Sequence, residues 1–275
     1  VQVEEVNSSE EIVIRAKAIV NATGAWAEKL QDQIKPTFKI RPLRGSHLVI
    51  PSKILSIKDV LTFFHPKDRR SVFVYPWEGT TVIGTTDLDH SIDLDIEASI
   101  SQDELAYLLA AFNSQFPENS ICEKDVISTW AGVRPIISGS KESAPSSERR
   151  DHSIWSNAGL ITVSGGKLTT FRVIAKEVIK SLQKYLPKKR FGKDEQVFRH
   201  IETDANQLLS DSPDLAKKLI SRYGNASVEL VKNMPSEELK PISSTLYCLA
   251  ECRWVTRHES IHHLDDLLLR RTALG

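Results

Sequence analysis

The sequence lacks the features that mark several large classes of protein. No apolar run in its 275 residues approaches the ~20 residues of a membrane-spanning helix, and no signal-peptide pattern opens it. Its 36 basic and 36 acidic side chains cancel, so no net charge attracts nucleic acid. The three cysteines, Cys122, Cys248 and Cys252, are odd in number and follow no disulfide framework. We therefore expect a folded protein with free thiols in a reducing, cytoplasmic compartment.

Common hydrolase and nucleotide-binding motifs are missing as well. No Ser-His-Asp set and no nucleophile elbow is present. A Walker phosphate loop would need a glycine where Ile161 stands, and a serine or threonine where Leu168 follows Lys167. Histidine and arginine side chains are therefore the groups to examine for chemistry.

Two groups of possible metal ligands do not have the spacing of known metal sites. The first group consists of Cys248, Cys252, His258 and His262. Its two pairs stand closer together than the pairs of a zinc finger, so we expect buried thiols and surface imidazoles instead. The second group consists of Asp87, Asp89, Asp93 and Asp95. It lacks the glycine and the bidentate glutamate of a calcium loop, so we expect solvated carboxylates and no metal site.

The most informative segment spans residues 160–172, where a β-rich run breaks at Gly165-Gly166-Lys167 before a helical pattern begins. Backbone N–H groups and the positive dipole end of a helix N-terminus suit an anionic or electron-rich partner. The glycines let such a partner approach closely, and Thr169 or Thr170 can cap the helix. The alternative is a left-handed turn with a solvated lysine. Residues 19–26 form a similar junction, a weaker indication of a nucleotide-binding α/β layer.

Hydrophobic periodicity predicts the order of the remaining elements. The first 20 residues are expected to form a β-hairpin, and short β runs at 47–50, 60–64, 72–77 and 81–86 predict an antiparallel sheet. A capping box at Ser101 opens an amphipathic helix, and a strand at 127–133 delivers Arg134 into a polar loop. The end of the chain has helical periodicity, including predicted helices at 244–256 and 264–272.

Two side chains stand where the strand patterns meet turns. His47 follows Gly45, at which the chain can turn sharply. This histidine would suit removal of a proton from a hydroxyl near neutral pH, and its alternative role is structural hydrogen bonding. Arg134 precedes a proline that fixes the turn, and its alternative role is a surface ion pair with a nearby carboxylate.

Short motifs occur in a characteristic order at residues 20–27, 44–51, 83–87, 131–135 and 165–172. Together with Arg150-Asp151 and residues 269–272, they resemble the FAD-dependent glycerol-3-phosphate dehydrogenases of the D-amino-acid-oxidase-like flavoprotein group. The resemblance spans nearly the whole chain. The sequence departs from the family because it contains no G-x-G-x-x-G loop for the FAD pyrophosphate. We therefore expect a fragment whose affinity for FAD is much reduced or absent.

The resemblance implies an α+β fold with three parts. An antiparallel-sheet substrate domain would comprise residues 35–155. The remaining part of an FAD-binding α/β domain would comprise residues 1–34 and 156–190. An all-α C-terminal domain would follow over residues 191–275.

The resemblance also implies a reaction and a set of site residues. Such enzymes oxidise sn-glycerol 3-phosphate to dihydroxyacetone phosphate by hydride transfer to FAD, and pass the electrons to a membrane quinone. The implied catalytic residues are His47, Lys167 and Arg134. The implied substrate contacts are Arg134, Arg150, Lys167 and His47. The implied FAD contacts are Thr23, Gly24, Gly166, Lys167, Leu168 and Thr169.

The resemblance further implies a cytoplasmic protein at the periphery of the inner membrane, and it allows a homodimer. The sequence is also compatible with two alternatives. The first keeps the fold but uses oxygen as the electron acceptor, as in the related glycerol-3-phosphate oxidases. The second is a catalytically inactive module, in which the helical end of the chain binds a partner or docks to a membrane.

Overall fold

The computed structural model describes residues 1–5, 8–31, 39–137, 151–187, 198, 200–243 and 245–275. The chain divides into two compact units, residues 1–190 and residues 191–275. Each unit has a buried apolar cluster of its own. The domain boundaries implied within the first unit remain a prediction.

The first unit contains two small sheets. Strands β1 (Gln2–Glu4) and β2 (Glu11–Val13) form an antiparallel ribbon, which confirms the predicted hairpin. Strand β3 (Ile19–Asn21) runs parallel to β11 (Leu160–Ser164), and β10 (Ser153–Asn157) pairs antiparallel with β11. Because β3 and β11 are parallel and adjacent, their carboxyl ends meet at one edge of the sheet.

The larger sheet is built around the long strand β4 (Ile40–Pro51). Its other strands are β5 (Leu61–Phe64), β6 (Ser71–Trp77), β7 (Thr80–Gly84), β8 (Leu88–Asp89) and β9 (Ser128–Ile137). Among the described residues the order is β5-β6-β7-β4-β8, with β9 also paired to β4. The pairings are antiparallel, as the sequence predicts.

One face of this sheet packs against helix α2 (Gln102–Gln115). Alternate residues of the strands supply fully buried side chains, among them Leu48, Ile50, Val72, Val74 and Ile83. Helix α2 opens with the predicted capping box between Ser101 and Glu104 and contributes Phe112 to the same layer. Each such apolar side chain stabilises the fold by about 1.5–3 kcal/mol when buried. The apolar layer therefore fixes which residues of β4 face the opposite side.

Two more helices of the first unit follow strand-to-glycine junctions. Helix α1 (Ala27–Gln31) follows the 3₁₀ turn Gly24–Trp26, which lies just after β3. Helix α3 (Phe171–Leu182) follows the 3₁₀ turn Leu168–Thr170, which lies just after β11. Both helix starts are where the glycine patterns predict them.

The second unit is helical, which confirms the fold predicted for the end of the chain. Its helices are α4 (Ala205–Leu208), α5 (Pro213–Tyr223), α6 (Ser227–Asn233) and α7 (Leu249–His258), followed by the π-helix Asp266–Arg271. Arg222 and Glu251 form an ion pair of 2.6 Å in its interior, and the guanidinium lies 3.8 Å from the centroid of the Tyr247 ring. Burial raises the pKa of the Cys248 thiol to about 11, so this cysteine is an unreactive core residue.

Two sequence predictions of local structure were wrong at their boundaries, those for β9 and for α7. Strand β9 continues through Arg134 to Ile137, because β4 offers a pairing partner along that whole length. Arg134 therefore lies on a strand, not in a loop. The helix predicted from residue 244 begins at Leu249. The helix predicted at 264–272 is present, and its main part is the π-helix Asp266–Arg271. Within the part of the chain that the structure describes, no helix has the length and apolar character to cross a membrane.

Candidate functional site

His47 lies on β4, on the sheet face opposite to α2. Strand pairing places Trp130 of β9 on one side of it and Gly84 of β7 on the other. The imidazole stacks on the Trp130 indole with 3.8 Å between ring centroids and 7° between ring planes. A methyl group on Gly84 would lie 2.7 Å from Nε2 of His47, so glycine is required there. The two neighbours hold the imidazole in one orientation.

The surroundings of His47 keep its ring neutral. Burial, assisted by the positive charge of Arg134, lowers the pKa of His47 to about 4. Its Nδ1 atom is buried and has no hydrogen-bond partner. At neutral pH the ring therefore has a nitrogen that can accept a proton, but it is a weaker base than an ordinary histidine. An anion bound near Arg134 would raise its basicity, since the anion would offset the guanidinium charge.

Residues 85–87, a short loop after β7, hold the Arg134 side chain. Its guanidinium donates to Oγ1 of Thr85 at 2.9 Å, to Oδ1 of Asp87 at 3.2 Å and to the Thr86 carbonyl at 3.4 Å. The Asp87 side chain is only 8% exposed, whereas that of Arg134 is 29% exposed. The ion pair that we gave as the alternative role of Arg134 is therefore present, but its carboxylate is buried. The loop fixes the guanidinium and leaves part of it accessible.

The Arg134 guanidinium also lies directly over the backbone of Gly45. A methyl group on Gly45 would lie 2.5 Å from Cζ of Arg134. Gly132 is paired with Gly45 across β4 and β9, and a methyl group there would have no neighbour within 4 Å. Gly45 thus makes room for the arginine, while the space above Gly132 is open.

Several of these residues were not identified from the sequence. Asp87 was expected to be solvated, but the residue is 6% exposed because its loop folds against Arg134. Thr85, Gly45 and Trp130 were not assigned a role in the site. The motif at residues 83–87 contains the signal for Thr85 and Asp87, but their contact with Arg134 depends on the sheet register.

A second group of predicted residues lies where β3 and β11 end. The Asn21 amide donates to the Ala27 carbonyl at 2.9 Å, and its carbonyl oxygen accepts from the Thr23 hydroxyl at 2.8 Å. These bonds hold the turn into Gly24, which has a φ of +62° and open space around its Cα. In α/β sheets, nucleotide cofactors bind at the carboxyl ends of parallel strands. The position of Thr23 and Gly24 fits the adenosine part of such a cofactor.

Gly165 and Gly166 end β11 with φ angles of +79° and +86°. A methyl group on Gly165 would lie 2.5 Å from the Asp151 carbonyl oxygen, and one on Gly166 would lie 2.5 Å from Cδ1 of Ile174. The glycines are therefore required by the packing of the chain itself, rather than only by a ligand. Just before them, the buried Ser164 hydroxyl has no hydrogen-bond partner. A polar ligand at this edge would satisfy that hydroxyl, so the residues present fit a nucleotide cofactor.

Lys167, Leu168 and Thr169, which follow Gly165 and Gly166, are exposed. The Thr170 hydroxyl accepts from the Lys167 backbone N–H at 3.2 Å and donates to its carbonyl at 2.9 Å, so Thr170 closes the turn before α3. Leu168 is 88% exposed. The exposed Lys167 is compatible with both of its predicted roles, a ligand contact or a solvated lysine. Arg150 lies outside the described residues.

The structure thus brings the predicted residues together in two groups. His47 and Arg134 lie on the paired strands β4 and β9, and the predicted FAD contacts lie at the edge formed by β3 and β11. Strand β9 connects the two groups, because a methyl group on Gly165 would lie 3.3 Å from Cδ1 of Ile137, at the end of that strand. Arg134 is three residues from Ile137, which corresponds to about 10 Å along a strand.

Comparison with known proteins identifies related sequences along the whole chain. The model of the FAD-dependent oxidoreductase family matches residues 1–181, and that of the C-terminal domain of alpha-glycerophosphate oxidase matches residues 165–275. The aerobic glycerol-3-phosphate dehydrogenase of Staphylococcus saprophyticus is 29% identical over an alignment of 296 positions. The alignment covers 99% of this chain and 53% of that protein. Its counterpart in Staphylococcus aureus strain USA300 is 28% identical over 290 residues, covering 97% of this chain and 52% of the relative. The chain spans about half the length of these curated relatives.

A solved structure shows the same fold. The crystal structure of glycerol-3-phosphate dehydrogenase from Bacillus halodurans, complexed with FAD, superposes with a TM-score of 0.77 and 22% identity. The superposition covers 98% of this chain and 56% of that chain. The fold is therefore shared over both units of the protein.

Proposed function

We propose a function from one premise: the chain belongs to the FAD-dependent oxidoreductase family. The proposed reaction is the oxidation of sn-glycerol 3-phosphate to dihydroxyacetone phosphate, with FAD as the hydride acceptor. The names of the Staphylococcus relatives support this substrate, and the match to the C-terminal domain of alpha-glycerophosphate oxidase supports it independently.

The observation that carries the proposal is the fixed, partly exposed guanidinium of Arg134 on the strand next to an unprotonated His47. A phosphate ester carries a charge of about −2 and binds best to a guanidinium, which donates two parallel hydrogen bonds. The contacts from Thr85 and Asp87 aim the Arg134 guanidinium before the substrate arrives. We therefore assign Arg134 to the substrate phosphate, with Arg150 as a second expected contact.

His47 is the proposed proton acceptor. Loss of hydride from C2 of the substrate must be accompanied by loss of the proton from the C2 hydroxyl, so a base has to lie beside that oxygen. The pKa of His47 is about 4 in the chain without substrate, where burial and Arg134 both disfavour the charged ring. A bound phosphate dianion would offset Arg134 and raise that pKa, which would make the ring a better base when the substrate is in place. Lys167 is the rival candidate for this role.

The residues at the edge of β3 and β11 would hold the FAD. Thr23 and Gly24 are assigned to its adenosine half, and residues 166–169 to its ring system. When bound, FAD supplies the acceptor for the hydride. Lys167 and the backbone N–H groups of the turn before α3 would stabilise negative charge that develops next to them. The unpartnered Ser164 hydroxyl and the open space at Gly24 support this assignment.

We further propose that a membrane quinone takes the electrons, with the protein at the periphery of the cytoplasmic membrane. The dehydrogenase names of the Staphylococcus relatives favour an acceptor other than oxygen. A second candidate function, oxidation with oxygen as acceptor, is favoured by the alpha-glycerophosphate oxidase match over residues 165–275. A third candidate, a binding module without catalysis, applies to the chain alone if it does not retain FAD.

The test is anaerobic mixing of the FAD-loaded, full-length enzyme with glycerol 3-phosphate. We expect the flavin absorbance to bleach and one dihydroxyacetone phosphate to form per flavin. Bound flavin that stays oxidised would refute the proposed reaction. Readmission of air separates the acceptors, because an oxidase returns the colour rapidly and releases peroxide, whereas a dehydrogenase needs a quinone analogue. The flavin absorbance of the chain purified alone decides whether it retains FAD.

A further inference from the structure

A buried carboxylate on the opposite side of the sheet connects the two halves of the His47–Arg134 site. Glu104 lies in the first turn of α2 and is 1% exposed. Its Oε1 accepts from the Thr86 hydroxyl at 2.6 Å and from the Ser46 hydroxyl at 2.8 Å. Its Oε2 accepts from Nη2 of Arg44 at 2.7 Å and from the Ser101 backbone N–H at 2.9 Å. One side chain thus joins a helix, a strand and a loop.

Two of these contacts lead directly to the site. Ser46 immediately precedes His47 on β4. Thr86 lies between the two residues whose side chains hold the Arg134 guanidinium. The Thr86 hydroxyl also accepts the Ser46 backbone N–H at 2.9 Å, so the strand and the loop are linked to each other as well as to Glu104.

We propose that Glu104 is a positioning residue, which holds the His47 strand segment and the Arg134 loop in register through Ser46 and Thr86. The proposal rests on the proposed function, because it takes its importance from the roles given there to His47 and Arg134. No contact between Glu104 and either of these side chains is involved. Glu104 acts by fixing the backbone on which both are carried.

The chemistry of the cluster requires an ionised carboxylate. Burial raises the pKa of Glu104, but the hydrogen bonds from Thr86, Ser101, Ser46 and Arg44 outweigh that effect, and the pKa is lowered overall. An ionised carboxylate only accepts hydrogen bonds, which matches the donors around it. The same residue therefore serves two purposes, a helix cap through Ser101 and a connection to the site through Ser46 and Thr86.

These two purposes can be separated by matched substitutions. Thr86→Val keeps the shape of the side chain and the cap, but removes the hydroxyl that links the loop to the strand and to Glu104. Ser101→Ala removes the hydroxyl that accepts from the Glu104 backbone N–H and donates to its Oε2 atom, and it leaves the two links to the site at Oε1. Ser46→Ala breaks the other link and provides a second site-side variant, should Thr86→Val fold poorly.

The first measurement uses the chain alone and follows the imidazole C–H signals of His47 by NMR as the pH is varied. We expect Thr86→Val and Ser46→Ala to raise the pKa of His47 toward that of an ordinary histidine, since a looser strand exposes the ring and moves Arg134. Among the described residues, the groups that face this ring are Trp130, Gly84 and Arg134, and none of them is substituted in these variants. We expect Ser101→Ala to lower the melting temperature without moving the His47 titration.

The second measurement uses the FAD-loaded, full-length enzyme. Thr86→Val should lower kcat/KM for glycerol 3-phosphate by about 10- to 100-fold, as expected when reactive groups are misplaced by a fraction of an ångström to one ångström. Glu104→Gln should retain more activity than Glu104→Ala. Its amide oxygen can serve Arg44 and Ser101 while its NH₂ group donates to the two hydroxyls.

The outcomes distinguish a failure of this inference from a failure of the proposed function. If the site-side variants leave the His47 titration unchanged, or if Ser101→Ala shifts it equally, Glu104 has only a structural role. If the titration shifts as expected but the wild-type enzyme does not oxidise glycerol 3-phosphate, the positioning role survives and the assigned reaction is wrong.

Discussion

Gly45→Ala tests whether the Arg134 guanidinium lies where the site requires it. A methyl group on Gly45 would overlap the guanidinium, which is the flexible end of its side chain. We expect the arginine to swing away, because the strand backbone is fixed by its pairing on both sides. The movement would break the hydrogen bonds to Thr85 and Asp87. The matched control is Gly132→Ala on the paired strand, where the methyl group meets open space.

Two opposing effects determine how Gly45→Ala changes the free energy of unfolding. A glycine-to-alanine change at a compatible position stabilises a protein by about 0.4–1 kcal/mol, because it restricts the unfolded chain. Loss of a buried hydrogen bond to a charged group costs about 1.5–3 kcal/mol, but Arg134 is 29% exposed and water replaces part of each lost bond, so we expect a combined cost of about 2 kcal/mol for the two bonds. Gly45→Ala should therefore destabilise the first unit by about 1–2 kcal/mol. Gly132→Ala should stabilise it by roughly 0.5 kcal/mol.

The assay is denaturant unfolding followed by tryptophan fluorescence. Trp254→Phe in every sample confines the signal to the first unit, which contains the four other tryptophans, Trp26, Trp77, Trp130 and Trp155. Both glycine variants are then prepared with and without Arg134→Ala. If the overlap with the guanidinium causes the destabilisation, Gly45→Ala should become stabilising once Arg134 is truncated. The coupling energy between residues 45 and 134 should be about 2 kcal/mol, and that between residues 132 and 134 close to zero.

A Gly45→Ala penalty that persists in the Arg134→Ala background would refute this geometry. So would equal effects of the two alanines on the wild-type protein. In either case the guanidinium would lie elsewhere, and its assignment to the substrate phosphate would lose its structural support.

Three other predictions concern single residues. The pKa of His47 is about 4 when folded and ~6.5 when unfolded, so its contribution to stability is fully present above pH ~6.5 and is lost progressively toward pH ~4. His47→Gln should thus remove roughly 3 kcal/mol of the acid dependence of the unfolding free energy, at about 1.4 kcal/mol for each pKa unit, and identical pH profiles for the two proteins would contradict the pKa. In the full-length enzyme, Arg134→Ala should raise KM for glycerol 3-phosphate by about 100-fold with FAD content unchanged, and equal KM values would remove it from the phosphate site. Lys167→Met should slow flavin reduction by roughly 10-fold or more in single-turnover experiments, and an unchanged rate would favour a solvated lysine.

The parts of the fold that could be predicted from the sequence are those with local causes. The capping box of α2 needs only Ser101 and Glu104, three residues apart, and the structure forms it as expected. The glycine-led start of α3 and the alternating strands of the large sheet are likewise set by neighbouring residues. The motifs that resemble the flavoprotein family gave the fold class and the family, because their order along the chain is itself a long-range signal.

The parts that could not be predicted depend on pairing between distant residues. Arg134 was placed in a loop because a proline follows it, yet Pro135 pairs with Pro42 and β9 continues. The burial of Asp87 results from a contact with a residue 47 positions later in the chain. A start for α7 at residue 244 was wrong because the buried Glu251 caps the helix through the Cys248 N–H. Local patterns contain none of these contacts.

The same alternation of side chains that builds the core also determines the site. Along β4, Ser46, Leu48 and Ile50 face α2, while Gly45 and His47 face the opposite side. A shift of one residue in the register would exchange the two sets and would place the imidazole in the apolar layer. The buried leucine and isoleucine each oppose that shift by about 1.5–3 kcal/mol, and the hydrogen bonds of Ser46 to Glu104 and Thr86 oppose it too. The residues of β4 that face α2 therefore fix the position of the proposed proton acceptor, although they do not contact the imidazole.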